Sequence, residues 1–210
     1  MALKHTHPAD YHPTDYLVLG RDAAGVGEEL DRRATIHWDY MDRFASQLIA
    51  RGPLLSPDGE EHTGSIHIIR SASALEAQRF AREEPYCRAG LYSSVTVTPF
   101  RGLLSQTMWE RAPASLPEYS TFMRAGWPAC SCHAKQMERL QWEASRNEHW
   151  VFVGLLQSDD MGFAGLAAAA DLKPEAAERA LRELLDLSEF CVDQLELSRW
   201  QRGGRPKMRQ

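Results

Sequence analysis

The sequence of 210 residues predicts an α+β fold made of two related β-α-β-β-α-β units in one chain. Three observations lead to this prediction: apolar or alternating runs of strand length, amphipathic helical segments between them, and landmarks that recur in the same order in the second half. The β-α-β-β-α-β order is the ferredoxin-like arrangement, which places both helices on one face of a sheet. The other face needs a cover, which a second unit would provide.

A buried strand and a long amphipathic helix open the first unit. The apolar run at residues 16–20 is typical of a strand covered on both faces. Beyond Gly25 and Gly27, apolar residues recur every four positions and predict a helix that runs up to Gly52-Pro53, a combination that usually ends a helix. The residues of this apolar stripe are Ile36, Tyr40, Phe44 and Leu48.

A hairpin follows this helix. Leu54-Leu55 and residues 65–70 are predicted as its two strands, and the polar segment around residues 56–59 is predicted as the loop between them.

A second helix and a fourth strand complete the unit. Residues 74–83 have a helical pattern, with Leu75 and Phe80 directed towards the sheet. Glu84-Pro85 ends this helix, because the residue before a proline avoids helical backbone. Alternation with period two at residues 95–98 predicts the last strand.

The second half repeats the landmarks of the first. In both halves a glycine precedes an aspartate by six positions, and another glycine follows. The matching pairs are Gly52 with Gly154, Asp58 with Asp160, and Gly64 with Gly165. An Ala/Glu-rich helix from Pro174 and a final strand over residues 191–197 then follow in the expected order.

These landmarks define the predicted domain organisation. We expect a flexible segment at residues 1–13, a first unit at 14–104, a linker at 105–116, a diverged second unit at 117–202 and a flexible tail at 203–210.

Composition excludes several classes of protein. The 24 Lys and Arg residues against 29 Asp and Glu residues give a net charge of −5, which disfavours a nucleic-acid partner. No apolar run approaches the roughly 20 residues of a membrane span, so no membrane association is expected. Four cysteines are too few for a disulfide scaffold, so reduced thiols and a cytoplasmic location are predicted.

Four segments of the first half carry a family resemblance: HWDYM at residues 37–41, ARGPL at 50–54, Gly64-Ser65 and, most specifically, EPYCRAGLY at 84–92. Together they resemble the YCII-related (YciI-like) family, over nearly all of residues 15–104. Glu84 stands where many members carry Asp. The second half resembles the family more weakly and lacks the acid-Pro segment.

The resemblance implies both a fold and a chemistry. It implies a dimeric α/β barrel, which two units in one chain would form internally, as a monomeric pseudo-dimer or as a homodimer of such chains. It also implies a His–Asp pair, which falls on His37 and Asp58. One similar protein is a dehydrochlorinase of chlorinated hydroxyquinols, and related barrels include muconolactone isomerases and cofactor-free oxygenases. No cofactor or metal is therefore expected.

His37 and Asp58 are thus the candidate catalytic residues. A histidine exchanges protons near neutral pH, and a carboxylate partner fixes its tautomer and raises its basicity. The structural alternative is that His37 caps its helix or packs under Trp38, while Asp58 only forms an Asp-Gly turn.

The candidate substrate-binding residues are His67, Tyr86, Arg88 and Tyr92. His67 alternates with Ile66 and Ile68, so it would face the barrel interior if the isoleucines met the helices; a buried structural histidine is the alternative. Cys87, beside Arg88, is favoured as a structural residue rather than a nucleophile.

The second half offers a weaker site. His133 with Asp160 repeats the proposed pair, although loss of the acid-Pro segment favours a degenerate site. Cys130, Cys132 and His133 invite a zinc interpretation, but their spacing is wrong for a zinc knuckle, so small structural residues or oxidisable thiols are favoured.

The function predicted from these residues is a cofactor-free lyase or isomerase. His37, oriented by Asp58, would act as an acid/base on a small, aromatic or quinol-like substrate held between the two units. Two alternatives stay open: a non-catalytic small-molecule-binding or pathway accessory protein, and a cofactor-free oxygenase.

Overall fold

The computed structural model describes residues 15–130, 134–158, 162–186 and 190–204. Its strands are β1 (Asp15–Asp22), β2 (Leu48–Leu55), β3 (His62–Arg70), β4 (Tyr92–Gly102), β5 (Ser120–Cys130), β6 (Trp150–Gln157), β7 (Phe163–Ala170) and β8 (Gln194–Trp200). Its helices are α1 (Gly27–Asp42), α2 (Ala74–Glu83), α3 (Pro85–Arg88), α4 (Ala134–Arg146) and α5 (Pro174–Asp186). The fold is mixed α+β, with antiparallel strand pairs throughout.

The eight strands form a closed barrel in the order β1-β3-β2-β8-β5-β7-β6-β4. Each half contributes four adjacent strands, with its first strand between its fourth and its third. The halves join where β2 pairs with β8 through Leu54 and Leu55, and where β4 pairs with β6 over residues 100–102. Closure leaves no exposed sheet edge.

Apolar side chains from all eight strands fill the barrel. The largest are Phe100, Phe122, Phe152 and Trp200. The helices cover the outer face of the sheet, with α1 and α2 packed on the first half through a cluster that includes Tyr40, Met41 and Phe80. A similar cluster joins α4 and α5 to the second half.

The prediction that the first helix continues to Gly52 is wrong. The helix ends at Asp42, and Leu48–Leu55 is strand β2, with alternate residues buried. Gly52 is required there by a close approach, since a Cβ atom would lie 1.9 Å from the backbone oxygen of Gln201. Gly52 therefore marks a close approach of two backbones within a strand and not the end of a helix.

Three smaller predictions also need correction. Leu75 does not face the sheet but is 64% exposed, and Ala77, Phe80 and Ala81 are the buried residues of α2. The last strand begins at Gln194 rather than at residue 191. Ile66 and Ile68 lie in the barrel interior, so His67 faces the helices instead.

None of the helices in the described part of the chain is both long and apolar enough to cross a membrane.

Candidate active site

A histidine and a buried glutamate form the centre of the site. His37 lies in the middle of α1, and its Nδ1 is 2.5 Å from Oε1 of Glu84. The two side chains are only 12% and 3% exposed. Within the described residues, Nε2 of His37 makes no hydrogen bond. Because Nδ1 is held by the carboxylate, Nε2 is the nitrogen left to exchange a proton.

Glu84 also caps a short helix. Its carboxylate accepts hydrogen bonds from the backbone amides of Tyr86 (3.1 Å) and Cys87 (2.9 Å) at the start of α3. Pro85 at the first helical position needs no such acceptor, since it has no N–H. Three donors therefore fix the orientation of this buried carboxylate, and through it the ring of His37.

Two further rings surround His37. The ring of Tyr86 stacks on it, with centroids 4.3 Å apart and planes 3° from parallel. Burial and the nearby Glu84 carboxylate raise the pKa of Tyr86, so its phenol stays protonated at neutral pH. His67 lies 5.7 Å from His37 between ring centroids, and burial is the main cause that holds its pKa well below the usual value. His67 is therefore neutral.

A second His–carboxylate pair lies near the first. His62, the first residue of β3, places Nδ1 2.6 Å from Oδ2 of Asp22, the last residue of β1. Their side chains are 25% and 6% exposed. Ser65 Oγ lies 3.4 Å from Nε2 of His62. The antiparallel pairing of β1 with β3 brings the two residues together.

Tyr92 supports the site from behind. Its ring lies over Gly20, where a Cβ atom would be 2.8 Å from the ring, and its edge meets Tyr86 at 6.2 Å between centroids. Burial raises the pKa of Tyr92 well above its usual value. Through the contact between the two rings, Tyr92 positions Tyr86.

These groups face a cavity of about 1260 Å³ on the helix side of the sheet. His37, His62, His67 and Tyr86 line it together with Asp22 and Ser65. Its apolar wall includes Leu30, Trp38, Met41, Leu55, Trp109 and Leu116. The cavity lies outside the barrel, whose interior is filled with side chains, so it is not enclosed between the two half-barrels as the sequence suggested.

Segments beyond the first four strands complete the cavity. Met108, Trp109 and Leu116 come from the stretch predicted as a linker, and residues 201–204 follow β8. Arg202 ties these segments together: it donates hydrogen bonds to the backbone oxygen of Met108 and to Asp171. The linker is therefore a wall of the site.

Asp58 does not contact His37 in the structure. It is an exposed residue of the β2–β3 loop, where its carboxylate accepts hydrogen bonds from the hydroxyl of Ser56 and the amide of Glu60. These bonds, that of Ser56 first, lower the pKa of Asp58. This turn is the structural alternative that the sequence left open, and Glu84 is the carboxylate that meets the histidine.

The remaining predicted residues are divided between the site and other regions. Of the four predicted substrate-binding residues, His67 and Tyr86 line the cavity and Tyr92 packs behind it, whereas Arg88 is exposed and borders a separate groove along α1. Burial is the main cause that raises the pKa of the Cys87 thiol, which disfavours a nucleophilic thiolate.

The second predicted site falls outside the described residues: His133, Asp160 and Cys132 all belong to the undescribed parts of the chain. Cys130 is partly buried, and burial raises the pKa of its thiol. Over the described ranges, no group of three His, Cys, Asp or Glu side chains is arranged to hold a metal ion.

Sequence reasoning missed Asp22 and His62, and it placed Glu84 at a helix end and in the family-like segment without giving it a catalytic role. The signal for Glu84 was available, because an acid before Pro-aromatic can accept from the amides that follow it. Asp22 and His62 are 40 positions apart, and only the register of β1 with β3 relates them.

The fold and the site define a class of protein: a closed barrel of eight antiparallel strands, with a cavity beside helix α1 that a His–carboxylate pair lines. Within the chain, residues 14–101 match the model of the YCII-related domain. Protein YciI from Escherichia coli O6:H1 is 28% identical over 96 residues, which span 41% of this chain and 95% of YciI. Protein YciI from Shigella flexneri matches equally.

Solved structures are similar over nearly the whole chain. A putative monooxygenase from Lactobacillus acidophilus superposes with a TM-score of 0.56 at 11% identity, over 90% of this chain and 92% of that one. A chlorite dismutase mutant from Candidatus Nitrospira defluvii gives 0.54 at 10% identity, over 91% and 92%. At these identities the likeness is one of fold alone.

A third solved structure matches a smaller share of the chain. It is the 5-chloro-2-hydroxyhydroquinone dehydrochlorinase from Burkholderia phenoliruptrix AC1100, 24% identical over 40% of this chain and 89% of that chain, with a TM-score of 0.37.

Proposed function

We propose that the protein is a small-molecule enzyme in which His37, held by Glu84, transfers a proton to or from a bound substrate. The observation that carries the proposal is the 2.5 Å contact between His37 Nδ1 and Glu84 at the wall of a large cavity. A carboxylate on one ring nitrogen raises the basicity of the other and stabilises the imidazolium that forms. The reaction class is that of a lyase or isomerase.

The walls of the cavity favour a ring-bearing substrate. Tyr86, stacked on His37, and Trp38 are aromatic residues of the wall, and Leu30, Leu55 and Leu116 add apolar surface. Binding sites for small molecules commonly combine such apolar walls with a few polar groups that fix orientation. A carbonyl or enol group would meet the histidines while its ring lies against the aromatic wall.

Two rival functions have less support. In a non-catalytic binding protein, His37 would be hydrogen-bonded to backbone, whereas its partner here is a carboxylate. A cofactor-free oxygenase would favour Trp and His with no carboxylate near, whereas Asp22 lines the cavity and Glu84 contacts His37.

We also propose that residues 117–202 are a diverged copy of the first unit and that the protein acts in the cytoplasm. The support for the copy is the matching strand order of the two halves and the matching positions of their glycines. The copy would close the barrel, and its last residues, Gln201 and Arg202, line the cavity.

The proposal is tested by proton exchange at carbon. Phenylpyruvate, a ring-bearing enolisable ketone, and a panel of hydroxylated aromatic compounds are incubated in D₂O, and loss of C–H signal is followed by ¹H NMR. We expect the wild-type protein to accelerate exchange and His37→Gln to lower the rate by about 100-fold or more.

His149→Gln provides the matched control, because His149 is an exposed histidine outside this cavity. Its rate should equal that of the wild type. No acceleration by the wild type for any compound, or equal rates for wild type and His37→Gln, would overturn the proposal.

A further inference from the structure

His62 and Asp22 form a second acid/base pair in the same cavity as the first. Both residues line the cavity, and Nδ1 of His62 is held 2.6 Å from Asp22. As with His37, this leaves Nε2 as the nitrogen that can exchange a proton. Ser65 Oγ, 3.4 Å from that nitrogen, helps to fix the ring.

The two imidazoles flank a single aromatic ring. His37 stacks on the face of Tyr86 at 4.3 Å, and His62 approaches its edge at 6.3 Å, both between ring centroids. Two proton-transfer groups therefore lie around Tyr86 at the wall of one cavity. A reaction that removes a proton at one atom and adds one at another needs this arrangement.

The surroundings of the two carboxylates assign different roles to the histidines. Glu84 already accepts two backbone amides, which share its negative charge. Asp22 is bound through Oδ2 to His62, and its buried Oδ1 has no hydrogen-bond partner in the described part of the chain. The carboxylate of Asp22 is thus held by His62 alone among the described residues, whereas that of Glu84 is shared between His37 and two amides.

Charged groups of both signs share this cavity, because Arg51 of β2 and Arg202 are cations that line it. Glu60 and Glu61, in the loop just before β3, also line the cavity and add negative charge on this side. His67, which packs near both histidines, is neutral and adds no opposing charge.

We propose that His62, positioned by Asp22, is the general acid that works opposite His37 as general base, and that the reaction is keto–enol isomerisation of a ring-bearing carbonyl compound. This assignment rests on the proposed function of His37. Nε2 of His37 takes the proton from the carbon beside the carbonyl, and the electron pair of that C–H bond forms the C=C bond. The carbonyl oxygen takes the proton of His62 Nε2.

The step is complete without any other reactant. One C–H bond breaks and one O–H bond forms, no atom is oxidised or reduced, and the two histidines end with their protonation states exchanged. Proton exchange with water restores them, and the reverse step uses the same groups in opposite roles.

The experiment measures how the rate of carbon–hydrogen exchange of phenylpyruvate depends on pH. A neutral base and a protonated acid acting together give a bell-shaped profile. We expect His37→Gln to remove the low-pH limb and His62→Gln to remove the high-pH limb, each with a loss of about 100-fold at the optimum. Asp22→Asn should shift the high-pH limb to lower pH, because the imidazolium loses its carboxylate.

The outcomes separate this assignment from the function on which it rests. If His62→Gln keeps a bell of unchanged shape, whether or not its height falls, His62 has only a structural role and the assignment is overturned while His37 stands. If His37→Gln has no effect or the wild type gives no exchange, the proposed function fails and the assignment fails with it. His149→Gln should reproduce the wild-type profile.

Discussion

His67 is a buried residue that makes stability depend on pH. It is only 3% exposed and packs between His37 and Phe80, with its pKa held well below the usual value mainly by burial. The unfolded chain takes up a proton at this residue below about pH 6.5, and the folded chain does not. The part of the unfolding free energy that depends on neutral His67 is therefore fully present above about pH 6.5. It is lost as the pH falls towards the pKa of His67 in the folded protein.

His67→Gln should flatten this dependence. Between pH 7 and 5.5 the wild type should lose about 1 kcal/mol more unfolding free energy than the variant, as measured by urea denaturation at each pH. His149→Gln, an exposed histidine, should follow the wild type. Equal losses in wild type and His67→Gln would contradict the prediction.

At the scale of an element, α3 shows how one side chain connects local structure with chemistry. The helix has four residues, too few to be stable alone, and its first amides are bonded to the Glu84 carboxylate. The same carboxylate holds His37 on α1. The segment is thus a rigid support that carries Tyr86 to the wall of the cavity and fixes the histidine.

Two substitutions of Glu84 separate these roles. Glu84→Gln keeps one acceptor oxygen and loses the charge, so we expect carbon–hydrogen exchange to fall by about tenfold or more while part of the cap remains. Glu84→Ala removes the cap as well, and the unfolding free energy should fall by about 1–3 kcal/mol. Exchange and urea denaturation measure the two effects; full exchange activity in Glu84→Gln would exclude a role for the charge.

At the scale of the whole molecule, the repeated glycines mark equivalent contacts of the barrel. A Cβ atom at Gly52 would lie 1.9 Å from the backbone oxygen of Gln201, and one at Gly154 would lie 2.6 Å from that of Arg101, where the two halves meet. Gly64 and Gly165 lie in the same way against the first strand of their own half, at 2.3 and 2.5 Å. These glycines therefore meet the same kind of close backbone approach in both halves.

Local signals predicted α2, the starts of α1 and α5, and the strands of the first half, because periodicity and caps act over a few residues; α3 and the strands β5 to β7 were not predicted individually. The helix α2 was predicted with its observed bounds, and α5 with its start at Pro174. The boundary between α1 and β2 was missed, since the stripe from Tyr40 through Phe44 to Leu48 fits a helix as well as two elements joined by a turn. Only the pairing of Leu48 with Ile69 on β3 shows that Leu48 begins a strand.

The candidate site was predicted less completely, for a physical reason. His37 and Tyr86 were identified because they lie in recognisable segments, but their relation to Glu84, Asp22 and His62 depends on contacts between distant parts of the chain. Asp58 has the residue type expected of a partner, yet bonds within its own turn satisfy it. Residue type and spacing could not decide between the carboxylates.

Closure of the barrel at Gly52 should be required for stability. In Gly52→Ala the added methyl group meets the backbone of residues 201–203, which cannot rotate away, so the strand or the segment after β8 must move. That segment is fixed by hydrogen bonds from Gln201 to Pro53 (3.1 Å) and from Gly203 to Arg51 (2.8 Å). We expect a loss of about 1–3 kcal/mol of unfolding free energy in urea denaturation.

Gly27→Ala is the matched control, since a Cβ atom there would meet nothing within 4 Å and alanine favours the helix that begins at this residue. Its stability should equal or exceed that of the wild type. Gly154→Ala, at the opposite junction, should lose stability as Gly52→Ala does, but only Gly52 adjoins the cavity. Carbon–hydrogen exchange under conditions where both variants stay folded should therefore fall in Gly52→Ala and not in Gly154→Ala; the reverse order would show that residues 201–204 do not form a wall of the site.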